Sequence, residues 1–193
     1  MRPVFTSFAI ALFLAPPVHA QQIAADRPGV GSAPTVVPQF TLEPELGTDG
    51  KEIRLGVLPG FELDRDDTSW GAKLALANSE KFKLAFKASY DNDLHAVLEL
   101  PANYTFNALF NLGTTVIWSH SSQTYAAEFN VTPTGRLTIT PTLYYESKAR
   151  AAIFVAWIVP HHDNWQLDIS YDQHRISAGI STAIDIARLL KKR

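Results

Sequence analysis

The sequence predicts an all-β fold, an antiparallel up-and-down transmembrane β-barrel, and three observations carry this prediction. Apolar and polar residues alternate from Phe40 almost to the end of the chain, in eleven segments separated by turn-like breaks. Most segments have about the length that a tilted strand needs to cross a bilayer. Aromatic residues fall near the segment ends, as the interfacial girdles of membrane barrels do.

The alternation has a period of two, which is typical of strands with one apolar and one polar face. Short breaks between the segments predict an antiparallel meander. The charged stretch Asp64–Ser69 is interpreted as one of these breaks. The predicted strands run through Phe40–Leu46, Ile53–Val57, Trp70–Leu76, Phe82–Tyr90, Ala96–Phe106, Phe110–Trp118, Tyr125–Val131, Leu137–Tyr145, Ile153–Val159, Trp165–Tyr171 and Ile176–Ile184.

The number of strands is expected to be even, as in single-chain bacterial barrels generally. We therefore predict about 12 strands, the missing one being an edge strand within residues 28–38, with 10 as the alternative. Pro34 and Pro38 weaken an edge strand there but do not forbid it. Twelve strands would place the longer breaks, 64–69, 91–94 and 119–122, on the cell exterior.

The first twenty residues are predicted to be a secretory signal peptide. Arg2 precedes the apolar run Val4–Leu14, which is too short to span a bilayer, and Val18-His19-Ala20 offers small residues for cleavage near Ala20. We expect Sec-type export to the outer membrane of a Gram-negative cell. The predicted divisions are the signal peptide 1–20, an extended lead 21–38, the barrel 39–186 and a basic tail 187–193.

Composition excludes several classes of function. Without the leader, which carries Arg2 and no acid, 16 basic and 19 acidic residues remain, a net charge of −3. That charge gives no support for nucleic acid as a partner. The chain has no cysteine, so thiolate metal sites are excluded, and no phosphate-binding loop or His-Glu-x-x-His motif occurs. We expect no cofactor and no metal.

The start of the mature chain carries a motif that is specific to a family. Asp26-Arg27-Pro28 is followed by Ser32-x-Pro34, Val37-Pro38 and Gln39-x-x-Leu42-Glu43-x-x-Leu46-Gly47, and then by Glu52-Ile53-Arg54-Leu55-Gly56. This pattern resembles the start of outer-membrane transporters of the phenol-degradation MetA-pathway family. The resemblance covers about residues 26–60. It implies a barrel that transports small, aromatic or hydrophobic molecules.

The chain differs from that family in three places. Gly29 follows the Asp-Arg-Pro motif where an acid is common in the family, and the chain is short for the group. It ends in Leu189-Leu190-Lys191-Lys192-Arg193 instead of the terminal aromatic residue that insertion machinery usually reads. Barrel-assembly machinery, outer-membrane lipid and a small-molecule solute are nevertheless the expected partners.

Charged residues on the polar faces of the predicted strands are expected to point into the lumen. They either line a pore and set its selectivity or form structural ion pairs that fill a small barrel. The motif Asp26-Arg27-Pro28 is expected to close the periplasmic mouth, dock into the lumen or remain a solvated lead. The predicted lumen residues are Glu43, Glu45, Arg54, Lys83, Lys87, Glu99, Glu128, Arg136, Asp168 and Arg175.

The predicted function is passive passage of small molecules across the outer membrane, without a catalytic step. One alternative is an acyl-ester hydrolase that resembles outer-membrane lipid A deacylases. His120 and Ser122 lie two residues apart, so on one strand they would share a face as base and nucleophile. A second alternative is a soluble periplasmic β-sandwich that binds lipid. The adjacent residues His161, His162 and Asp163 are interpreted as an exposed loop.

Overall fold

The computed structural model describes residues 30–190. Strands make up nearly all of it, and one short helix ends it. No helix in this range is long and apolar enough to cross a membrane. The elements are β1 (Thr41–Gly47), β2 (Gly50–Leu58), β3 (Phe61–Asp66), β4 (Ser69–Asn78), β5 (Phe82–Asp91), β6 (Ala96–Thr105), β7 (Phe110–Trp118), β8 (Gln123–Thr134), β9 (Leu137–Tyr145), β10 (Ala149–Ile158), β11 (Trp165–Asp172), β12 (Arg175–Thr182), β13 (Ile184–Asp185) and α1 (Ile186–Leu190).

The sheet closes on itself. Each strand from β1 to β12 pairs antiparallel with the next one in the chain, and β12 returns to β1, with Glu45 opposite Ser181 and Gly47 opposite Gly179. The two-residue β13 continues along the same partner, with Leu42 opposite Ile184. The wall described by residues 30–190 is therefore a closed up-and-down barrel of twelve strands. This confirms the predicted fold class, and the β-sandwich alternative is wrong.

The predicted strand count is right, but the twelfth strand lies elsewhere. Residues 30–38 form no strand. The additional strand is β3, which pairs with β2 and β4 and overlaps the stretch interpreted as a turn at Asp64–Ser69. Its sequence alternates Phe61 and Leu63 with Glu62 and Asp64. The high density of charge in this segment hid a regular strand whose acids face inward.

The wall has an apolar outside and a polar inside. Leu74 and Phe86, opposite each other on β4 and β5, are 46% and 36% exposed on the outer face. Glu43 and Lys73 on the inner face are 1% and 0% exposed. A water-soluble sheet would place these groups the other way round. The arrangement is that of a transmembrane barrel, in which lipid meets the apolar face and the lumen is polar.

Aromatic side chains form two belts on the outer face. Trp70 stacks on Tyr90 with ring centroids 5.4 Å apart at one end, and Tyr104 meets Phe106 at 5.1 Å at the other. Along β5, Phe82 and Tyr90 lie eight residues apart, about 27 Å at the usual strand rise. With the tilt of membrane barrels, this separation approaches the height of their apolar band.

The turns at the end predicted to face the cell exterior are not longer than those at the opposite end. The breaks near 64–69, 91–94 and 119–122 do share one end, but their turns hold two to four residues. The longest turn, 159–164, lies at the opposite end, beside α1. The signal peptide with its cleavage site, the motif Asp26-Arg27-Pro28 and the last residues of the basic tail lie outside the described residues.

Candidate functional site: an occupied lumen

The lumen beside β1–β4 is filled by an ion-pair cluster centred on Arg54. Its guanidinium donates to both carboxylate oxygens of Glu62, with Nη2 2.9 Å from Oε1 and 3.0 Å from Oε2. Nη1 lies 3.2 Å from Glu45 and 3.9 Å from Glu43. All four side chains are at most 1% exposed. Because these charges are shielded from water, each depends on the others for its compensation.

Two lysines extend this cluster along β4 and β5. Nζ of Lys73 lies 3.2 Å from Glu62, and Nζ of Lys87 lies 3.1 Å from Asp64 and 3.3 Å from Glu52. The strand register favours these contacts, because Glu62 stands opposite Lys73 across the β3–β4 pair. The cluster therefore links the inner faces of β1 to β5.

Residues 30–38, the lumen segment, cross the inside of the barrel. The backbone N–H of Val37 donates to Glu62 on β3 at 2.5 Å, that of Ser32 to Glu99 on β6 at 2.7 Å, and that of Val30 to Glu128 on β8 at 3.2 Å. Three carboxylates on three different strands thus hold one stretch of backbone. The edge strand predicted within residues 28–38 is therefore absent from the described part of that range, and residues 30–38 lie in the lumen instead.

Cations of the ion-pair cluster hold the same segment through its carbonyl groups. Nζ of Lys73 donates to the oxygens of Ala33 and Thr35 at 3.1 and 3.2 Å, and Nη2 of Arg54 donates to that of Thr35 at 3.3 Å. Val37 is 0% exposed. The wall thus satisfies several backbone polar groups of the segment, as non-helical chain inside a membrane-spanning barrel requires.

A glycine on β2 makes room where the segment joins the wall. A Cβ on Gly56 would overlap the carbonyl of Pro38 and lie 2.6 Å from the carbonyl oxygen of Val37. The chain reverses here through the bond from the Thr41 N–H to Pro38 O, 3.1 Å, with Phe40 in the left-handed region at φ 60°. Because Gly56 has no side chain, the chain can pass from the lumen at Pro38 to the wall at Thr41 within three residues.

The lumen segment takes up most of the available bore. Twelve strands about 4.8 Å apart, tilted by about 40°, give a backbone cylinder of radius about 12 Å. Inward side chains of about 6 Å leave a bore about 12 Å wide, and a peptide with its side chains is about 10 Å across, the distance at which sheets pack. The segment therefore fills most of the space that the wall encloses.

The structure places eight of the ten predicted lumen residues on the inner face and two at the barrel ends. Arg136 belongs to the β8–β9 turn, where its Nη1 lies 2.8 Å from Asp163. Arg175 is the exposed first residue of β12. Neither lies along the bore, because each sits where a strand meets a turn. The residues on the inner face are Glu43, Glu45, Arg54, Lys83, Lys87, Glu99, Glu128 and Asp168.

The lumen wall opposite the ion-pair cluster mixes separate charged residues, such as Glu99 and Glu128, with neutral amide and hydroxyl pairs. Asn103 bonds to Asn111 at 2.6 Å, and Thr140 bonds to Asn130 at 2.6 Å. Nearer the other end, an apolar patch with one hydroxyl faces inward, and Val30 packs on it. The lumen segment thus joins a charged wall to this patch, which consists of Ala126, Tyr144, Ala152 and Phe154.

The hydrolase alternative requires a geometry that the structure does not have. His120 and Ser122 lie in the turn between β7 and β8, so they do not share a strand face. The Ser122 hydroxyl lies 3.0 Å from that of Ser119, and the His120 ring stacks on His95 with centroids 4.7 Å apart. Glu128 faces the lumen segment instead of His120.

Another group of potential ligands lies in the turn after β5. Atoms of Asp91, Asp93 and His95 lie within 4.8 Å of one another. Asp91 already accepts from the backbone N–H groups of Asp93 and His95 at 2.9 and 2.8 Å. None of the three side chains is buried. This arrangement is a turn whose backbone N–H groups are capped by the Asp91 carboxylate.

Sequence reasoning missed Glu62, Asp64 and Lys73, which are central to the ion-pair cluster. The alternation of Phe61 and Leu63 with the two acids was the available signal. Lys73 sits between the outward residues Ala72 and Leu74 and shows the same period. Both signals are local. A strand assigned to Phe61–Asp66 would have placed Glu62 and Asp64 in the lumen, and Lys73 already lay on the polar face of the predicted strand Trp70–Leu76.

No protein-family model and no curated protein matches the chain. Among solved structures, a KdgM porin in complex with disordered oligogalacturonate gives a TM-score of 0.49 at 12% identity, covering 74% of this chain and 96% of that one. A second KdgM porin structure gives 0.48 at 11% identity with the same coverage. A triple mutant of Rhodopseudomonas blastica porin gives 0.47 at 12% identity, covering 70% of this chain and 55% of that one.

Proposed function

We propose that this chain forms a passive outer-membrane channel for small molecules, and that residues 30–38 restrict its bore. The observation that carries the proposal is the closed sheet with an apolar outer face and a charged inner face. Such a cylinder has no unpaired strand edge to expose to lipid, which is the condition for spanning a bilayer with strands. A lumen lined by charge and amide groups admits water and polar solutes.

The substrate class that the family resemblance implies forms a second part of the proposal. Small aromatic molecules would use the inward patch of Tyr144 and Phe154, where Val30 packs now. An aromatic ring is compatible with such a patch, since stacked or edge-on contacts add to apolar burial. Membership of the MetA-pathway family is proposed on the N-terminal motif alone.

Two measurements test the channel. The first is the recovery of the full chain in the outer-membrane fraction, with migration in SDS gels that changes on heating. The second is the swelling of liposomes that carry the purified chain, in a sugar and in a small phenol. The proposal predicts membrane recovery and a flux above that of empty liposomes. Folded protein in the soluble periplasm without detergent would contradict it.

A further inference from the structure

Two lumen carboxylates accept hydrogen bonds from groups that do not neutralise their negative charge. The recorded partner of Glu99 within residues 30–190 is the N–H of Ser32 at 2.7 Å, and that of Glu128 is the N–H of Val30 at 3.2 Å. Glu99 is 8% exposed. A backbone N–H satisfies the hydrogen bonding of a carboxylate but carries no net charge. A cation would compensate both groups better than the lumen segment does.

The lumen as a whole carries more acid than base. Between the terminal residues of the strands, inward positions of the described wall hold eight carboxylates and five basic side chains. The difference is a net charge of −3 on this face. The acids are Glu43, Glu45, Glu52, Glu62, Asp64, Glu99, Glu128 and Asp168, and the bases are Arg54, Lys73, Lys83, Lys87 and Arg150.

The basic residues are concentrated on one side of the lumen. Arg54, Lys73 and Lys87 contact acids of β1–β3. Lys87 stands opposite Glu99 across the β5–β6 pair but turns its Nζ to Asp64 and Glu52, and Glu128 lies farther round the wall on β8. Two strand spacings separate β6 from β8, about 10 Å. The register adds an offset along the strands, because Glu99 is level with Thr124 through Ile117 and Glu128 lies four residues further along β8. One small ion therefore cannot contact both carboxylates, and they would act as successive sites along a path.

We propose that the channel selects cations, and that Glu99 and Glu128 bind the positively charged group of a passing solute. The cation would take the positions that the N–H groups of Ser32 and Val30 occupy now. This inference rests on the proposed channel function. Rings and rows of carboxylates give cation channels their selectivity, and a low-dielectric wall strengthens their field.

The test is the reversal potential of single channels in planar bilayers under a KCl gradient. The channel is the chain without residues 21–37, so that the lumen segment does not cover the carboxylates. It is compared with the same channel carrying Glu99→Gln and Glu128→Gln. The control is Glu146→Gln, which removes a charge from an exposed turn. We expect a potassium-to-chloride permeability ratio above one that falls towards one in the double variant and stays unchanged in the control.

The outcomes separate this inference from the channel proposal. A ratio below one, or a ratio that the double variant leaves unchanged, would overturn cation selection while the channel stands. A shortened chain that migrates as folded but never conducts would overturn the channel itself.

If the shortened chain does not fold, the full chain gives the answer by liposome swelling. Arginine, glucose and glutamate serve as cationic, neutral and anionic solutes of similar size. Faster entry of arginine than of glutamate, reduced by Glu99→Gln with Glu128→Gln, supports the inference. Equal entry of the two ions overturns it.

Discussion

Arg54 on β2 and Glu62 on β3 form an ion pair inside the barrel in which one guanidinium nitrogen contacts both carboxylate oxygens. The Nη2–Oε1 and Nη2–Oε2 distances are 2.9 and 3.0 Å. Glu62 also accepts the N–H of Val37 from the lumen segment. One carboxylate therefore connects the wall to the chain that crosses the bore. Stability of the wall and occupancy of the lumen depend on the same buried group.

Replacement of Arg54 by Met should destabilise the folded barrel strongly. It would leave the buried carboxylates of Glu45 and Glu62 without their arginine, and removing one partner of a buried pair costs about 3–5 kcal/mol. The measurement is the free energy of unfolding in urea, followed by tryptophan fluorescence in lipid. Lys51→Met is the matched control, because Lys51 pairs with Asp67 at 3.4 Å on the surface. Equal losses in the two variants would contradict a central role for the buried cluster.

Replacement of Gly56 by Ala should displace the lumen segment. The added methyl group would overlap the Pro38 carbonyl, and overpacking of this kind costs about 1–3 kcal/mol. We expect faster entry of sugar into liposomes, because the segment would leave its path beside β2. Gly135→Ala is the control, since nothing lies within 4 Å of a Cβ there. Unchanged flux in a folded Gly56→Ala barrel would argue against this contact as the anchor of the segment.

Replacement of Phe86 by Arg tests whether the outer face meets lipid. Phe86 lies midway along β5 and points outward. A charge at the bilayer midplane costs a lipid-facing strand about 2–4 kcal/mol. The check is the unfolding free energy in lipid, with Glu80→Arg in the β4–β5 turn as control. A barrel whose outer face meets water would be stabilised, or left unchanged, by the same substitution.

Replacement of Ser122 by Ala should leave lipid A unchanged. The Ser122 hydroxyl bonds to Ser119, and His120 stacks on His95, so His120 is not placed as the base for this hydroxyl. Mass spectrometry of lipid A from cells with the parent chain, the variant or neither should give one acylation pattern. Loss of an acyl chain that depends on Ser122 would revive the hydrolase alternative.

The architecture could be predicted from the sequence because the two faces of a barrel strand follow a local period of two residues. Alternation along Phe82–Tyr90 or Leu137–Tyr145 sets the face of each side chain without knowledge of its neighbours. The expectation of an even strand count led to the correct number of twelve. The twelfth strand was, however, assigned to residues 28–38 instead of Phe61–Asp66. The segment Phe61–Asp66 was missed because three acids in six residues are typical of a turn, whereas in the barrel lumen two of them, Glu62 and Asp64, meet cations on β2, β4 and β5.

The occupied lumen could not be predicted in detail. The hydrogen bonds from Val30, Ser32 and Val37 use backbone N–H groups, which every residue but proline possesses, so no side-chain pattern marks them. Their acceptors lie 25 to 98 residues away. The only local signs were the prolines, which exclude a regular strand, and Gly56, whose role depends on the approach of Pro38.

The rate of solute entry into liposomes, compared between the full chain and the chain lacking residues 21–37, tests the central claim most directly. The claim is that this barrel is a channel restricted by its own N-terminal residues. Both chains must first show the gel shift on heating that marks a folded barrel. The account predicts slow entry of a small sugar through the full chain and severalfold faster entry through the shortened one. Equal rates for two folded barrels would contradict it.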